Sequence, residues 1–368
     1  MTKLAVVAGE ASGDLHASEV VRELKKLDPD MTSFGIGGDL LAREGTQLLG
    51  HASEMGIVGL FNVIRHLPMF RRVFAELMAR IESERPDAVL LVDYPDFNLR
   101  VARKCKELGL RVIYYISPQL WAWRSGRVRD VAKYVDHMLV IFPFEEEFYR
   151  RHDVPVTYVG HPLIEQLSGV RRPPRNEERL RIALLPGSRR HEVETLLPPM
   201  LEAVDLLRRE RDVEAYLIQA PTIGHEELEA IMKGVGIEVP ILPHDGGAGV
   251  AAADLALSSS GTATLEAAVL GTPVVVMYRL SRATYALARR LVKLPHFSLV
   301  NIVAGKRVVP ELIQGDVNGP RIAEEVRTLV EPSHYEQVRA ELLAIRKKLG
   351  EPGTAGRAAR VIHEMMKT

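Results

Sequence analysis

Residues 182–192 read IALLPGSRRHE: a short apolar run of strand length, a turn of small residues and the start of a segment with helical periodicity. The same order recurs along the chain, and this alternation predicts βαβ units and parallel sheets. In the first half the predicted strands are 4–8, 88–92, 112–116, 138–141 and 156–159. In the second half they are 182–185, 215–219, 241–242, 255–257 and 274–277. The predicted fold class is therefore α/β, with two doubly wound, Rossmann-like halves.

The length of 368 residues predicts two domains, because ordinary domains contain roughly 100–200 residues. A charged, proline-broken stretch at 171–179 separates the two sets of strands and is predicted to be a linker. This gives an N-terminal domain at 1–170 and a second domain at 180–340. The segment after Pro332 has the pattern of helices only, and we expect residues 341–368 to pack back on the N-terminal domain.

The composition limits the possible partners. Apolar residues make up 46% of the chain and charged residues 26%, which is the balance of a globular protein with sizeable cores. Basic and acidic residues number 48 each, so the chain has no net positive charge that would attract nucleic acid. Nucleic acid is therefore not expected as a partner. The single cysteine, Cys105, excludes an intramolecular disulfide and a zinc site of four cysteine-based ligands.

The chain enters a short apolar strand directly after Met1, Thr2 and Lys3, which is not the pattern of a signal peptide. No run reaches the roughly 18 consecutive apolar residues that span a bilayer. We therefore expect a cytoplasmic protein whose contact with the membrane, if it has one, is peripheral.

Ligands of doubly wound sheets bind beyond the carboxyl ends of the strands, so the loops that follow predicted strands are candidate sites. The loop at 9–14 (GEASGD) has small and polar residues that suit close approach of a ligand, and Ser12 and Asp14 are its candidate contacts. An ordinary tight turn between strand and helix is the alternative. The loop lacks the glycine spacing of a dinucleotide-binding fingerprint.

The loop at 93–98 (DYPDFN) carries two carboxylates three residues apart at the end of a predicted strand. Asp96 is well placed there for general-base work on a hydroxyl group. Capping of the helix that begins near Phe97 is the equally weighted alternative for the same residue. Asn98 belongs to the same loop.

The loop at 117–124 contains Trp121, Trp123 and Arg124. Aromatic faces beside cations suit sugars, acyl chains or phosphates, whereas packing in the core is the alternative for one of the two tryptophans.

Two loops of the second half have the residues that a pyrophosphate requires. Residues 186–192 (PGSRRHE) bring backbone donors and a guanidinium group to the start of a helix, although an incidental basic turn is the alternative. Residues 258–266 (SSSGTATLE) supply hydroxyl groups and place Glu266 one turn inside the next helix, where a carboxylate can accept two ribose hydroxyls. A capping box is the alternative there, but Thr262 and Glu266 lack its three-residue spacing.

Together these loops resemble those of the lipid-A-disaccharide synthase family. The resemblance covers nearly the whole chain in order and rests on residues 9–14, 94–98, 117–123, 185–189, 260–266 and 298–301. It implies a GT-B fold, with two Rossmann-like domains that face each other across a cleft. It also implies that UDP-2,3-diacylglucosamine reacts with 2,3-diacylglucosamine 1-phosphate (lipid X), with inversion at the anomeric carbon. The products would be the β-1,6-linked tetraacyl disaccharide 1-phosphate of lipid A biosynthesis and UDP.

The resemblance also implies roles for individual residues. Asp96 corresponds to the proposed general base, and the UDP contacts are Arg189, Gly261, Thr262, Glu266 and Asn301. We add Gly187, Ser188 and Ser260 from the same two loops to the predicted nucleotide site. The predicted acceptor contacts are Ser12, Asp14, Asn98, Trp121, Trp123 and Arg124. No metal and no cofactor is expected, and the resemblance suggests a homodimer. Residues 15–18 and 246–249 depart from the family pattern.

The acylated substrates require access to the inner face of the inner membrane. Residues 55–72 are rich in large apolar residues and carry three arginines, which is typical of a pair of interfacial helices. Their predicted membrane contacts are Ile57, Leu60, Phe61, Ile64, Arg65, Arg71 and Arg72, with Pro68 expected to end the first helix. A buried helix of the first domain is the alternative.

Two other functions fit parts of this pattern. A UDP-sugar 2-epimerase, or another enzyme of the same architecture, would have a similar donor site but no use for the apolar segment. A non-catalytic protein that binds acylated sugars would not need the nucleotide loops.

Overall fold

The computed structural model describes residues 2–55, 60–122, 125–175, 178–281, 284–285 and 294–367, and for residues 60–67 and 125 it describes the backbone only. Contacts among the described residues divide the chain into two compact units. The first unit is Met1–Pro162 together with Glu351–Thr368, and the second is Leu163–Gly350.

The first unit is built on a parallel sheet. Its described strands are β1 (Lys3–Ala8), β2 (Thr32–Gly37), β3 (Gln47–His51), β4 (Ala88–Val92), β5 (Val112–Tyr115), β6 (His137–Val140) and β7 (Val156–Tyr158). They lie in the order β3-β2-β1-β4-β5-β6-β7. The helices are α1 (Ala11–Leu27), α2 (Asp39–Arg43), α3 (Ala52–Met55), α4 (Leu60–Glu84), α5 (Pro95–Glu107), α6 (Val128–Tyr134) and α7 (Pro143–Arg150). The C-terminal helix Thr354–Lys367 also belongs to this unit and packs against α1.

The second unit repeats this plan. Its described strands are β8 (Leu180–Leu185), β9 (Val213–Gln219), β10 (Ile241–Pro243), β11 (Leu255–Ser259), β12 (Val274–Tyr278) and β13 (Glu311–Ile313), all parallel, in the order β10-β9-β8-β11-β12-β13. The helices are α8 (Leu163–Gln166), α9 (Arg190–Arg208), α10 (His225–Val235), α11 (Ala248–Ala252), α12 (Thr262–Leu270), α13 (Leu299–Ala304), α14 (Gly319–Val330) and α15 (Pro332–Lys348). The predicted α/β fold class is confirmed.

Strand β4 and, after Lys3, strand β1 at the centre of the first sheet are apolar along their length, which is the pattern of parallel strands covered on both faces. Every residue of Ala88–Val92 is buried, and so are the four apolar residues of β1 that follow Leu4. The C-terminal helix presents an apolar stripe at helical spacing to the first unit, and Ala358, Ala359 and Ile362 are fully buried in it.

All ten predicted strands are present, with ends that differ by at most two residues, but β2, β3 and β13 were not predicted. Strand β2 was missed because it contains glycine, and glycine in a short segment favours the prediction of a turn. In β2, Gly35 has φ of +149°, and a Cβ atom there would overlap the carbonyl oxygen of Val6 in β1. The glycine is therefore required for close pairing of the two strands.

The stretch proposed as a linker falls within the second unit, and Arg172 bonds to other parts of that unit. Its guanidinium group donates to the carbonyl of Ala253 at 2.9 Å, to the hydroxyl of Thr272 at 2.7 Å and to the hydroxyl of Tyr335 at 2.7 Å. These bonds fix the start of that stretch to two loops of the second sheet and to helix α15. None of the helices in the described residues is long and apolar enough to cross a membrane.

Candidate functional site

The second sheet has a topological switch point between β8 and β11. Neighbouring strands β9 and β12 lie on opposite sides of this pair, so the loops that leave β8 and β11 diverge and create a crevice at the carboxyl edge. The two loops predicted to bind nucleotide are the ones that follow these strands.

A cavity of about 480 Å³ occupies this crevice, within the second unit. Its lining includes seven of the eight residues predicted to bind nucleotide, which are Gly187, Ser188, Arg189, Ser260, Gly261, Thr262 and Glu266. It also includes residues that the sequence did not single out, among them Gln166, Glu192, Ile218 and His244. The order of the strands brings together two loops that are about 70 residues apart along the chain.

The loop after β8 combines backbone donors with a cation at the first turn of α9. The Arg189 side chain is 71% exposed and donates through Nη1 to Glu192 Oε1 at 2.8 Å. The other oxygen of Glu192 accepts the backbone N–H of Ser188 at 3.2 Å and of Arg189 at 3.3 Å. Thr222 holds the loop from the other side through a hydrogen bond from its hydroxyl to the Ser188 carbonyl at 2.6 Å.

Glu266 supplies a buried carboxylate on another wall of the cavity. Glu266 is 8% exposed, Oε2 lies 3.8 Å from His244 Nε2, and the buried Oε1 has no hydrogen-bond partner among the described residues. Burial raises the pKa of this carboxyl group, and His244 opposes that change. An unpaired buried oxygen is costly, so this atom is suited to accept a hydroxyl group from a ligand in the cavity.

Asn301, the eighth predicted nucleotide contact, is not among the residues that line the cavity. Its side chain is fully buried, and Oδ1 accepts the backbone N–H of Val308 at 2.7 Å and of Val309 at 3.0 Å. Nδ2 donates to the Val309 carbonyl at 3.0 Å. Asn301 therefore shapes the turn after α13 instead of presenting its amide to the cavity.

The switch point of the first sheet lies between β1 and β4, which pair from Leu4 with Ala88 to Ala8 with Val92. The loops at 9–14 and 93–98 follow these two strands, so the fold places both at one edge of the sheet. Within the first of them, Ser12 is exposed in the first turn of α1.

Asp96 is exposed at the start of α5. Its side chain is 72% exposed, and Oδ1 lies 2.7 Å from Arg127 Nη2. The N-cap position of this helix is occupied by Tyr94, and Pro95 is its first residue. The alternative role of Asp96 as an N-cap is therefore wrong, because the residue lies inside the first turn.

Asp93 and Tyr94 have a strained backbone, with φ of 47° and 49°. Left-handed conformations of two consecutive residues without glycine are uncommon and often occur at functional sites. Burial raises the pKa of the Asp93 carboxyl group to about 6, and the nearby charge of Glu10 adds to this effect. A carboxyl group with such a pKa can exchange a proton near neutral pH.

Two of the predicted acceptor contacts hold the backbone of the first unit. Asp14 is buried and accepts the backbone N–H groups of Gly38, Leu40 and Leu41, at 2.6, 3.1 and 3.1 Å, so it caps α2. Asn98 is fully buried, and its Nδ2 donates to the carbonyls of Val92 and Asp93, at 3.2 and 2.7 Å. Neither side chain is open to solvent; both stabilise the loops at this edge.

Trp121 is half-buried beside the same edge. Its Nε1 donates to Glu145 Oε1 at 3.1 Å, and its ring packs edge-on against Phe144 with centroids 4.9 Å apart. Glu145 is buried, and burial raises its pKa to about 7. Trp123 and Arg124, the other two predicted contacts of this loop, lie outside the described residues.

Of the predicted membrane contacts, Ile57 lies outside the described residues. Leu60, Phe61, Ile64 and Arg65 lie in α4, with side chains outside the description, whereas Arg71 and Arg72 are exposed. The expectation that Pro68 ends a helix is wrong, because α4 continues through it to Glu84. Packing of the later turns, where Val73, Leu77 and Ile81 are buried, overrides the local cost of the proline.

The described residues contain no group of three or more His, Cys, Asp or Glu side chains that could hold a metal ion.

Two parallel sheets with the strand order of Rossmann folds place the chain in the GT-B fold class. The calicheamicin glycosyltransferase CalG4 matches it with a TM-score of 0.60 at 15% identity, over 100% of this chain and 98% of that one. A UDP-GlcNAc 2-epimerase from Neisseria meningitidis, bound to UDP-GlcNAc, matches with a TM-score of 0.61 at 14% identity, over 100% of both chains. At these identities the likeness shows the fold alone.

The chain matches the family model of lipid-A-disaccharide synthetase over residues 4–359 and belongs to that family. The lipid-A-disaccharide synthase of Myxococcus xanthus is 43% identical over 99% of this chain and 97% of the relative. The lipid-A-disaccharide synthase of Syntrophus aciditrophicus is 44% identical over 96% of this chain and 95% of the relative. The predicted function is thereby confirmed: the chain is a glycosyltransferase of lipid A biosynthesis, and the interpretations as an epimerase or a non-catalytic binding protein are not favoured.

Proposed function

We propose that the enzyme transfers diacylglucosamine from UDP-2,3-diacylglucosamine to the 6-hydroxyl of 2,3-diacylglucosamine 1-phosphate (lipid X). The observation that carries this proposal is the cavity at the second switch point, which has an anion-binding loop on one wall and the buried carboxylate of Glu266 on another. A nucleoside diphosphate requires these two features, one for its phosphates and one for its ribose hydroxyls.

On the donor side, the guanidinium group of Arg189 and the loop amides around Gly187 and Ser188 bind the diphosphate. Ser260, Gly261 and Thr262 add hydroxyl and amide donors from the facing loop. Glu266 accepts the ribose hydroxyls. Asn301 acts indirectly, because its buried amide fixes the turn at Val308 and Val309.

On the acceptor side, Asp96 is the general base. Its carboxylate removes the proton of the 6-hydroxyl while that oxygen attacks the anomeric carbon from the face opposite UDP. A new C–O bond forms as the bond between the anomeric carbon and the β-phosphate oxygen breaks, so the configuration inverts. The negative charge that develops on UDP is stabilised by Arg189 and the loop amides. In this mechanism the acceptor hydroxyl competes with Arg127, whose Nη2 lies 2.7 Å from Asp96 Oδ1, for the carboxylate of Asp96.

The acceptor contacts that remain accessible are the exposed Ser12 and the partly exposed Trp121, with Trp123 and Arg124 proposed from the sequence. Residues 57–72 are proposed to dip into the cytoplasmic face of the inner membrane. Arg71 and Arg72 are exposed there, and each such arginine adds about 1 kcal/mol of attraction to anionic lipid headgroups. Acyl chains resist leaving the bilayer by about 0.8 kcal/mol per methylene, so an enzyme that works at the surface avoids that cost.

Incubation of the purified protein with both lipid substrates, followed by mass spectrometry, tests the reaction. We expect a tetraacyl disaccharide 1-phosphate and one UDP per disaccharide. UDP-sugar consumed without acceptor, with a changed sugar configuration, would instead identify an epimerase.

A matched pair of variants tests the donor site. Arg189 and Arg190 are adjacent and equally exposed, at 71% and 74%, but only Arg189 lines the cavity, while Arg190 pairs with Glu194 and Glu227. Arg189→Ala should weaken UDP binding by about 1.5–3 kcal/mol, the range of hydrogen bonds to charged groups, whereas Arg190→Ala should not. Equal UDP affinity of the two variants in calorimetry would remove Arg189 from the site.

A further inference from the structure

The carboxylate of Glu192 occupies the position at the start of α9 that would bind a phosphate group. Three donors converge on it: the backbone N–H groups of Ser188 and Arg189 at 3.2 and 3.3 Å, and Nη1 of Arg189 at 2.8 Å. The same set of donors, two loop amides and a guanidinium group, is what binds a phosphate at the start of a helix. A carboxylate, with two oxygens and a negative charge, is a chemical substitute for that phosphate.

The loop is built so that this carboxylate reaches it. Gly187 has φ of +125°, and a Cβ atom there would overlap Oε2 of Glu192 and lie 2.7 Å from its Cβ. The Glu192 side chain is only 18% exposed and lines the cavity. Its contact with Gly187 therefore places a negative charge inside the donor cavity.

The same donors cannot serve a carboxylate and a phosphate fully at the same time, because each N–H group makes one strong hydrogen bond. A diphosphate entering the cavity must displace Glu192 from Ser188 and Arg189 or share those groups with it at a distance where like charges repel. The Thr222 hydroxyl donates to the Ser188 carbonyl at 2.6 Å, which is a contact of this loop that does not involve Glu192.

A second observation points to a ligand in this cavity. On the facing wall, Oε1 of Glu266 is buried and has no hydrogen-bond partner in the part of the chain that the structure describes, and the residue is 8% exposed. The cavity thus contains one carboxylate oxygen that lacks a donor and another carboxylate that has taken the donors of the anion loop.

We propose that Glu192 is a positioning residue that competes internally with the diphosphate of the nucleotide. It holds Arg189 and the loop amides in place in the free enzyme and lowers the affinity for UDP, which favours release of the product. This inference rests on the proposed donor site, and it concerns the phosphates of the ligand, not its uridine.

The test compares UDP with uridine, which lacks the phosphates, by calorimetry on the full chain. Glu192→Gln keeps the shape of the side chain but removes its charge, and it should tighten UDP binding about tenfold, equivalent to about 1.4 kcal/mol, with uridine affinity unchanged. Glu192→Ala should change the ratio of UDP to uridine affinity in the same direction. Glu194→Gln is the control, because Glu194 lies on the same helix, pairs with Arg190 and does not line the cavity.

The possible results distinguish failure of the proposed donor site from failure of the proposed competition by Glu192. If the wild-type protein binds UDP no more tightly than uridine, the proposed donor site is wrong and this inference falls with it. If the wild-type protein prefers UDP but Glu192→Gln and Glu192→Ala both leave that preference unchanged or reduce it, the donor site stands and only the competition is refuted. A loss of affinity for UDP and uridine alike would show that Glu192 serves the structure of the loop, and it would also refute the competition.

Discussion

Replacement of Glu266 by Gln is expected to stabilise the protein and weaken UDP binding at the same time. Glu266 is 8% exposed, its Oε1 has no partner among the described residues, and its Oε2 lies 3.8 Å from His244 Nε2. An unsatisfied buried polar group costs about 1–3 kcal/mol, and the charged form costs more than the neutral amide. Glu266→Gln should therefore raise the free energy of unfolding of the second unit, by about 1 kcal/mol or more, and its melting temperature by about 2–4 °C per kcal/mol.

The expected loss of UDP affinity in Glu266→Gln follows from the same carboxylate oxygens. Hydrogen bonds to a charged group contribute about 1.5–3 kcal/mol and neutral ones about 0.5–1.5, so the amide should weaken UDP binding by about 1–1.5 kcal/mol, or about 5- to 12-fold. Calorimetry with UDP and thermal unfolding without ligand measure the two effects.

Asp254 provides the control, since it is also buried but is paired with Arg181 at 3.0 Å. Asp254→Asn should lower the melting temperature and leave UDP affinity intact. If Glu266→Gln lowered the melting temperature like Asp254→Asn and bound UDP normally, the assignment of Glu266 to the ribose would be refuted.

Three further predictions concern the first unit. Asp96→Asn should lower turnover about a hundredfold or more with UDP affinity unchanged, and a larger loss in Asp93→Asn than in Asp96→Asn would transfer the role of base to Asp93. Changing Leu60 and Phe61 together to Ser should release the protein from anionic vesicles. The reaction rate should fall far more on vesicle-bound substrate than on detergent-dispersed substrate. A lower melting temperature with normal vesicle binding would instead identify a core helix. Glu145, with its pKa raised from 4.5 to about 7, contributes stability that is present below pH 4.5 and lost as the pH rises through 7. The free energy of unfolding of the wild type relative to Glu145→Gln should therefore fall by about 2–3 kcal/mol between pH 5 and 8, and denaturant unfolding curves with a constant difference would contradict this.

The fold could be predicted from the sequence wherever a strand is covered on both faces. Residues 88–92 are a continuous apolar run because the strand is entirely buried, and its ends were predicted without error. The three strands that were missed are short or contain glycine, and β3 and β13 lie at the edges of their sheets. Position at an edge does not explain the omissions by itself, because the edge strands β7 and β10 were predicted; the missed strands have glycine within them or, in β13, only three residues, which weakens the apolar pattern.

The candidate site could be predicted as a set of loops, because chain order and strand order determine which loops meet at a switch point. The partners of individual side chains could not be predicted in this way. Asp14 bonds to Gly38 and its neighbours, and Asn301 bonds to Val308 and Val309, in contacts that depend on the final packing. The contact of Glu192 with the start of α9 could have been predicted from the sequence, because Glu192 follows Arg189 by three residues, which is the spacing of a capping box.

The polar residues of the family motifs thus have two different physical roles, and their hydrogen bonds distinguish them. Asp14, Asn98 and Asn301 are buried and bonded to backbone groups, so truncating one of them leaves buried N–H or C=O groups unpaired and destabilises its unit. Asp96 and Arg189 are largely exposed and bonded to other side chains, which a ligand can replace with little cost to the fold. Glu266 belongs to neither group, since it is buried like the first and open to a ligand like the second. Its unpaired oxygen costs stability in the free enzyme, and a bound ligand that donates a hydroxyl group recovers that cost.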